Sequence, residues 1–169
     1  MSNGKSILIT GASRGIGAAL AKAFAREGYA FIGINYHSDG DGARSVAEAV
    51  RGIGARAELY QADVSENADC ERMLAAFLAD AGKIDVLINN AGGAQSIPAG
   101  GFAEMPVEYW ERQIRMNLSC AAYCSRIAVG DMIQKGIKGR IINISSIHSQ
   151  ITWVKRKALP YCAGKAGMN

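Results

Sequence analysis

Short apolar runs alternate along this chain with stretches of helical periodicity. The runs at 5–10, 29–35, 56–61, 84–89 and 139–145 have the length and hydrophobicity of buried strands. Between them, apolar residues recur at three- and four-residue intervals. Ile16, Leu20, Ala23 and Phe24 define the inward face of a first helix, and Ala43, Val46, Val50 and Ile53 that of a second. Cys70, Met73, Leu74, Phe77 and Leu78 form a third face. Trp110, Ile114, Leu118 and Ala121 form a fourth, in a long helical region from about Pro106 to Lys135. Strands alternating with helices predict an α/β fold with a parallel sheet and helices on both sides. No internal repeat, low-complexity tract or linker divides the chain, so residues 1–169 read as one domain.

The first strand runs straight into Gly11-Ala12-Ser13-Arg14-Gly15-Ile16-Gly17, where the first helix begins. A strand, a glycine turn and a helix N-terminus make a site for the diphosphate of a dinucleotide, because amide N–H groups and the helix dipole face the negative charge. Gly11 permits the tight turn, while Gly15 and Gly17 allow close approach of cofactor and helix. The spacing is G-x-x-x-G-x-G rather than the commoner G-x-G-x-x-G.

A second constellation follows the last strand. Ser146 precedes a loop, then Tyr161-Cys162-Ala163-Gly164-Lys165. On a helix, Tyr161 and Lys165 share one face, and a neighbouring ammonium stabilises a phenolate. A phenol ordinarily ionises near ~10, so proton exchange near neutral pH requires about 4 kcal/mol of such stabilisation. Ser146 can hold a substrate oxygen while Tyr161 exchanges its proton.

Thr10-Gly11 through Gly15-Ile16-Gly17, Asp63-Val64, Asn89-Asn90-Ala91-Gly92, Asn117, Ser146 and Tyr161-x-x-x-Lys165 together resemble the short-chain dehydrogenase/reductase family. The resemblance covers essentially the whole chain. It implies a Rossmann-type, doubly wound parallel sheet, a nicotinamide cofactor and hydride transfer between an alcohol and a ketone. It also implies the catalytic set Ser146, Tyr161, Lys165 and Asn117, with the second serine of Ser145-Ser146 in the catalytic role. Lys165 is expected to bond the nicotinamide ribose as well, and Asn117 to hold a water in a proton relay; a plain polar helix residue is the alternative at Asn117. Cofactor contacts are expected from Gly11, Ser13, Arg14, Gly15, Ile16 and Gly17, from Asn90, Ala91 and Gly92, and from Tyr161 and Lys165. Asp63, followed by Val64, matches the family aspartate at the adenine amino group, unless it serves with Ser65 as a helix cap. Residues 90–92 are alternatively a structural turn, and His148 is either a further residue reaching the pocket or a loop histidine without a catalytic role.

NAD-selective members of the family usually carry an acidic residue at the end of the second strand. Here that place is assigned to Asn35, with Arg14 and His37 nearby, so NADP(H) is the expected cofactor and NAD(H) the alternative. Asp39 and Asp41 oppose this if their loop folds inward. The interval between Ser146 and Tyr161 is slightly longer than the family's usual. It contains Lys155-Arg156-Lys157, which read either as a solvated surface or as cations at the mouth of a site for an anionic substrate. Asn143-Ile144-Ser145-Ser146-Ile147-His148, Trp153, Lys165-Ala166-Gly167-Met168 and Asn35-Tyr36-His37-Ser38 resemble family sugar dehydrogenases, and other parts resemble 3-oxoacyl-thioester reductases. The family fold also continues beyond the point where this chain stops, so its C-terminal strands are expected to be absent here and the chain to be part of a longer polypeptide that forms a homo-oligomer, a dimer or tetramer.

Composition narrows the remaining classes. A hydrophobic share of 49% supports a real core, and a formal net charge of +4 is too mild, without interleaved aromatics, for a nucleic-acid surface. No signal pattern or membrane-length apolar run is seen. Cys70, Cys120, Cys124 and Cys162 lack zinc-site or C-x-x-C spacing, so no metal site is expected and a reduced, cytoplasmic setting fits. A catalytically silent dinucleotide-binding sensor or scaffold is the competing reading; it needs only the glycine turn, whereas this chain carries the complete Ser-Tyr-Lys-Asn set.

Overall fold

A computed structural model describes residues 4–94, 102–151 and 158–169. The apolar runs form β1 (Ser6–Ile9), β2 (Phe31–Tyr36), β3 (Arg56–Gln61), β4 (Val86–Asn89) and β5 (Arg140–Asn143). They make one parallel sheet in the order β3-β2-β1-β4-β5. The strands connect through α1 (Gly15–Arg26), α2 (Gly40–Ile53), α3 (Asn67–Ala81), α4 (Val107–Ile114) and α5 (Cys120–Gln134), and α6 (Leu159–Gly167) follows β5.

The side-chain alternation of the strands sorts the core onto two faces. Ile7, Ile9, Ile32, Ile34, Val86 and Ile88 meet α1 and α2 on one side. On the other, Leu8, Phe31 and Leu87 meet Cys70, Met73, Leu74 and Phe77 of α3 and Cys120, Cys124, Ala128 and Met132 of α5. This is the doubly wound arrangement. Because the strand order turns back at the β1–β4 junction, a crevice opens at the carboxyl ends of those strands.

Two helices depart from the periodicity reading. In α1 the buried residues are Gly17, Ala18, Ala21 and Ala25, whereas Ala23 is exposed and Ile16 is 60% exposed. Small residues let α1 lie close to the sheet, and Leu20 and Phe24 pack only at its flank. The long region from 106 to 135 is also not one regular helix, because a π-helical turn (Arg115–Ser119) separates α4 from α5. Such a turn rotates the helix register. Along this stretch Gln113, Asn117, Cys120, Ala121 and Cys124 are buried, so of the expected face only Ala121 faces the core, while Trp110, Ile114 and Leu118 stay half-buried.

Candidate active site

A cleft of about 490 Å³ opens where the sheet order reverses, bounded by the segments that follow β1, β2, β4 and β5. Its floor begins with the glycine turn. Gly11 has φ +61° and Gly15 φ +57°, both in the left-handed region. Gly17 is helical and serves a different purpose: a Cβ there would stand 2.6 Å from the Gly11 carbonyl oxygen and 2.7 Å from Asn90 Nδ2. The turn is braced from both neighbouring strands. Asn90 Nδ2 donates to the carbonyls of Thr10 (2.9 Å) and Gly11 (3.0 Å), and the Thr10 hydroxyl oxygen accepts the amides of Asn90 and Ala91, each at 3.0 Å. On the other side the Gly11 amide donates to Asn35 Oδ1 at 3.0 Å.

Asn35 is therefore turned away from the cleft. It is 1% exposed, and its amide nitrogen donates to the carbonyls of Tyr60 (3.1 Å) and Ala62 (3.2 Å). The residues that line the cleft after β2 are Tyr36, His37, Ser38 and Asp39, so the strand-end position that lines the cleft belongs to Tyr36. The Asp39 carboxylate caps α2, accepting the Gly42 amide at 3.1 Å, and Asp41 pairs with Arg44. Asp63 lies beside the cleft rather than in its lining. Its Oδ1 accepts the Ser65 amide (2.9 Å) and hydroxyl (2.7 Å), and its Oδ2 stands 3.8 Å from His37 Nε2. Val64 is a core residue whose carbonyl accepts the Cys70 thiol at 3.3 Å.

The far wall combines β4, the π turn and α6. Ser13, Arg14, Ile16, Asn90, Ala91, Gly92, Tyr161 and Lys165 all line the cleft as the motifs predict, joined by Met116, Ile144 and Ser145. Lys165 is 3% exposed and donates to the Ile144 carbonyl at 2.8 Å. Burial lowers its pKa from the ordinary lysine value. Asn117, fully buried, grips the loop after β4: its Oδ1 accepts the Gly93 amide at 2.9 Å, and its Nδ2 donates to the Gly93 carbonyl at 3.2 Å and the Gln113 carbonyl at 3.0 Å. Helix α6 approaches this turn through Gly164, where a Cβ would sit 2.8 Å from Asn117 Cβ. That notch seats Lys165 beside the Gly92 backbone.

The two serines differ in what their hydroxyls have left to give. Ser145 donates its single proton to the Lys165 carbonyl at 3.1 Å. Ser146 lies outside the lining and accepts the His148 amide at 3.2 Å, which leaves its proton to donate elsewhere. The His148 and Tyr161 rings meet edge-to-face, centroids 6.2 Å apart. Lys155, Arg156 and Lys157 lie outside the described residues.

The cleft fits an extended dinucleotide. Gly92 has φ +151°, and a Cβ there would fill the space toward Asn117 Oδ1 (2.9 Å) and Lys165 Nζ (3.2 Å). Among the described residues no group of three or more His, Cys, Asp or Glu side chains is placed to hold a metal ion, and no helix is long and apolar enough to cross a membrane.

A dinucleotide-type glycine turn facing a Tyr-x-x-x-Lys helix across one cleft defines a class of proteins, and comparison with known proteins agrees. Residues 5–169 match the short chain dehydrogenase family, and the chain belongs to it. It is 37% identical over 150 residues to glucose 1-dehydrogenase 2 of Bacillus subtilis (strain 168), covering 88% of this chain and 56% of that protein. It is 38% identical over 149 residues to L-rhamnose 1-dehydrogenase (NAD(P)(+)) of Sphingomonas sp. (strain SKA58), covering 88% and 57%. Among solved structures, acetoin dehydrogenase from Enterobacter cloacae superposes with a TM-score of 0.91 at 32% identity, covering 99% of this chain and 64% of that one. The chain thus spans somewhat over half the length of these curated relatives.

Proposed function

We propose that the protein is an NAD(P)-dependent oxidoreductase that interconverts an alcohol and a ketone, with Tyr161 as the general acid or base. The observation that carries this reading is that Tyr161 and Lys165 line the same cleft as the glycine turn. The bound nicotinamide dinucleotide would supply the hydride acceptor or donor. Gly11, Ser13, Arg14, Gly15, Ile16 and Gly17 would hold its diphosphate at the start of α1, and Asn90, Ala91 and Gly92 would lie along its ribose. The Tyr161 hydroxyl gives a proton to the substrate oxygen in reduction and takes one in oxidation. The Lys165 ammonium favours the phenolate and meets the ribose hydroxyls. Ser146 orients the substrate oxygen with its remaining proton, and Asn117 braces the loop after β4 through Gly93.

NADP(H) is the preferred cofactor in this reading. Arg14, Tyr36, His37 and Ser38 line the cleft and would meet the adenosine end of the cofactor; Asp39 lines it too and opposes the preference, although its Oδ1 accepts a helix-cap amide, while Asp41 pairs with Arg44. A charge-assisted bond from Arg14 to a 2′-phosphate is worth roughly 1.5–3 kcal/mol, about ten- to a hundredfold in affinity. The substrate is a small polar ketone or alcohol of the sugar or 3-oxoacyl-thioester type, and the working enzyme is a homo-oligomer.

The test is Tyr161→Phe, assayed by nicotinamide absorbance with a substrate found by scanning ketones, sugars and acyl thioesters. Turnover should fall by about 10²–10⁴-fold with dinucleotide affinity nearly intact. Near-normal turnover would overturn the assignment.

A further inference from the structure

We propose that His37 is a proton-controlled discriminator between phosphorylated and unphosphorylated dinucleotide, a role that rests on the cofactor site described under Proposed function. His37 follows β2 directly and lines the cleft together with Arg14. Its backbone is fixed, since its carbonyl accepts Gln61 Nε2 at 3.1 Å from the end of β3. Its side chain is 63% exposed, with Nε2 at 3.8 Å from Asp63 Oδ2.

The charged groups that share the cleft or its edge with this imidazole come from three segments. The glycine turn contributes Arg14, and the connection after β2 contributes Asp39, whose carboxylate accepts the Gly42 amide. The connection after β3 and the first turn of α3 contribute Asp63 and Asp69. Asp69 accepts the Asp63 amide at 3.0 Å and pairs with Arg72 at 2.6 Å. Asp63 Oδ1 is occupied by Ser65, which leaves Oδ2 facing His37. With the imidazole neutral, Arg14 is the cation at this end of the cleft lining. With it protonated, a second cation and a second N–H donor stand there, and Asp63 holds the ring at the cleft edge when no phosphate is present.

A 2′-phosphate carries between one and two negative charges near neutral pH, whereas a 2′-hydroxyl carries none. Protonation of His37 therefore strengthens binding of NADP(H) and leaves NAD(H) almost unaffected. Histidine side chains change charge between about pH 5 and pH 8, so the preference weakens as pH rises through that range. By linkage, NADP(H) binding draws protons from solution and NAD(H) binding does not.

The experiment is calorimetric titration of the protein with NADP⁺ and with NAD⁺ between about pH 6.5 and pH 8.5, in buffers of different ionisation enthalpy, alongside His37→Gln. The wild-type NADP⁺/NAD⁺ affinity ratio should fall about three- to tenfold across the range, with proton uptake specific to NADP⁺. In His37→Gln the fall and the extra uptake should largely vanish. Protonation of the phosphate itself, near pH ~6, acts in the opposite sense and is common to both proteins, so their difference isolates His37. The same slope in the wild type and the variant overturns the inference. The absolute ratio tests the cofactor preference separately. Tighter NAD⁺ binding throughout would reject that preference, while a retained, His37-dependent slope would still support the discriminator.

Discussion

Asn35 Oδ1 accepts the amide of Gly11 across 3.0 Å, tying the end of the second strand to the glycine turn that follows the first. With its amide nitrogen engaged by the carbonyls of Tyr60 and Ala62, Asn35 holds the turn and stays out of the cleft lining. An acidic residue introduced at this place should therefore not create NAD selectivity. Asn35→Asp would set a buried carboxylate against two carbonyl oxygens and should lower stability by about 2–4 kcal/mol in denaturant titration. Tyr36→Asp, on the cleft side, should shift relative affinity toward NAD⁺ by about tenfold or more in calorimetry. A stable Asn35→Asp protein that prefers NAD⁺ would refute this division of roles.

Two glycines should respond to alanine in opposite senses. At Gly17 the added Cβ meets the Gly11 carbonyl oxygen at 2.6 Å and Ala12 Cα at 2.9 Å, both backbone atoms that cannot rotate aside. Gly17→Ala should lose about 1–3 kcal/mol and weaken dinucleotide binding, despite better helix propensity. Gly52, on the exposed face of α2, has nothing within 4 Å of its Cβ position. Gly52→Ala should gain up to about 1 kcal/mol. Equal thermal shifts for the two variants would contradict the packing argument.

Lys165 gives stability a pH dependence whose sign follows from burial. Its pKa is lowered in the fold, so between the folded and unfolded values the unfolded chain binds more protons. Stability should then rise as pH climbs toward the ordinary lysine range. Lys165→Met keeps the side chain's length and removes the titration. Denaturant midpoints measured from neutral to alkaline pH should climb more in the wild type than in the variant; parallel curves would show that the ammonium is solvated.

The cysteines should be inert in the native state. Cys70, Cys120, Cys124 and Cys162 are each no more than 5% exposed, and burial pushes the Cys120 thiol up to about 11. Since thiolates are the reactive species, a colourimetric thiol reagent should modify the folded protein only as fast as it opens. After denaturation it should titrate all four thiols. Rapid native modification of even one would show an accessible cysteine.

Much of this was legible in the chain itself. β1, β2 and β4 are buried on both faces of the parallel sheet and read as continuous apolar runs, whereas the edge strands β3 and β5 fall in their runs but are partly exposed, Ile142 of β5 by 40%. The glycine turn and the Tyr161–Lys165 pair were legible because their geometry is local: a strand, a turn and a helix fix the first, and one helical turn fixes the second. What spacing along the chain cannot specify is which way a side chain faces once strands pair. Asn35 was expected at the cofactor and instead points inward, because the parity of β2 and the carbonyls of its neighbour β3 decide its direction. From the sequence Asn117 is expected to hold a relay water from within a long helix, but its side-chain amide is taken up by Gly93 and Gln113. Only the π turn, and the approach of α6 through Gly164, convert it into a clamp on Gly93. Asp63 likewise keeps its charge out of the cleft lining through Ser65, two residues away, whereas Asp39 stays in the lining with one carboxylate oxygen taken by the Gly42 amide. Local hydrogen-bonding and hydrophobic period determine the elements. The direction of each polar group waits on which unpaired donors and acceptors the packed elements bring within reach, and that is decided only when the sheet and its helices close together.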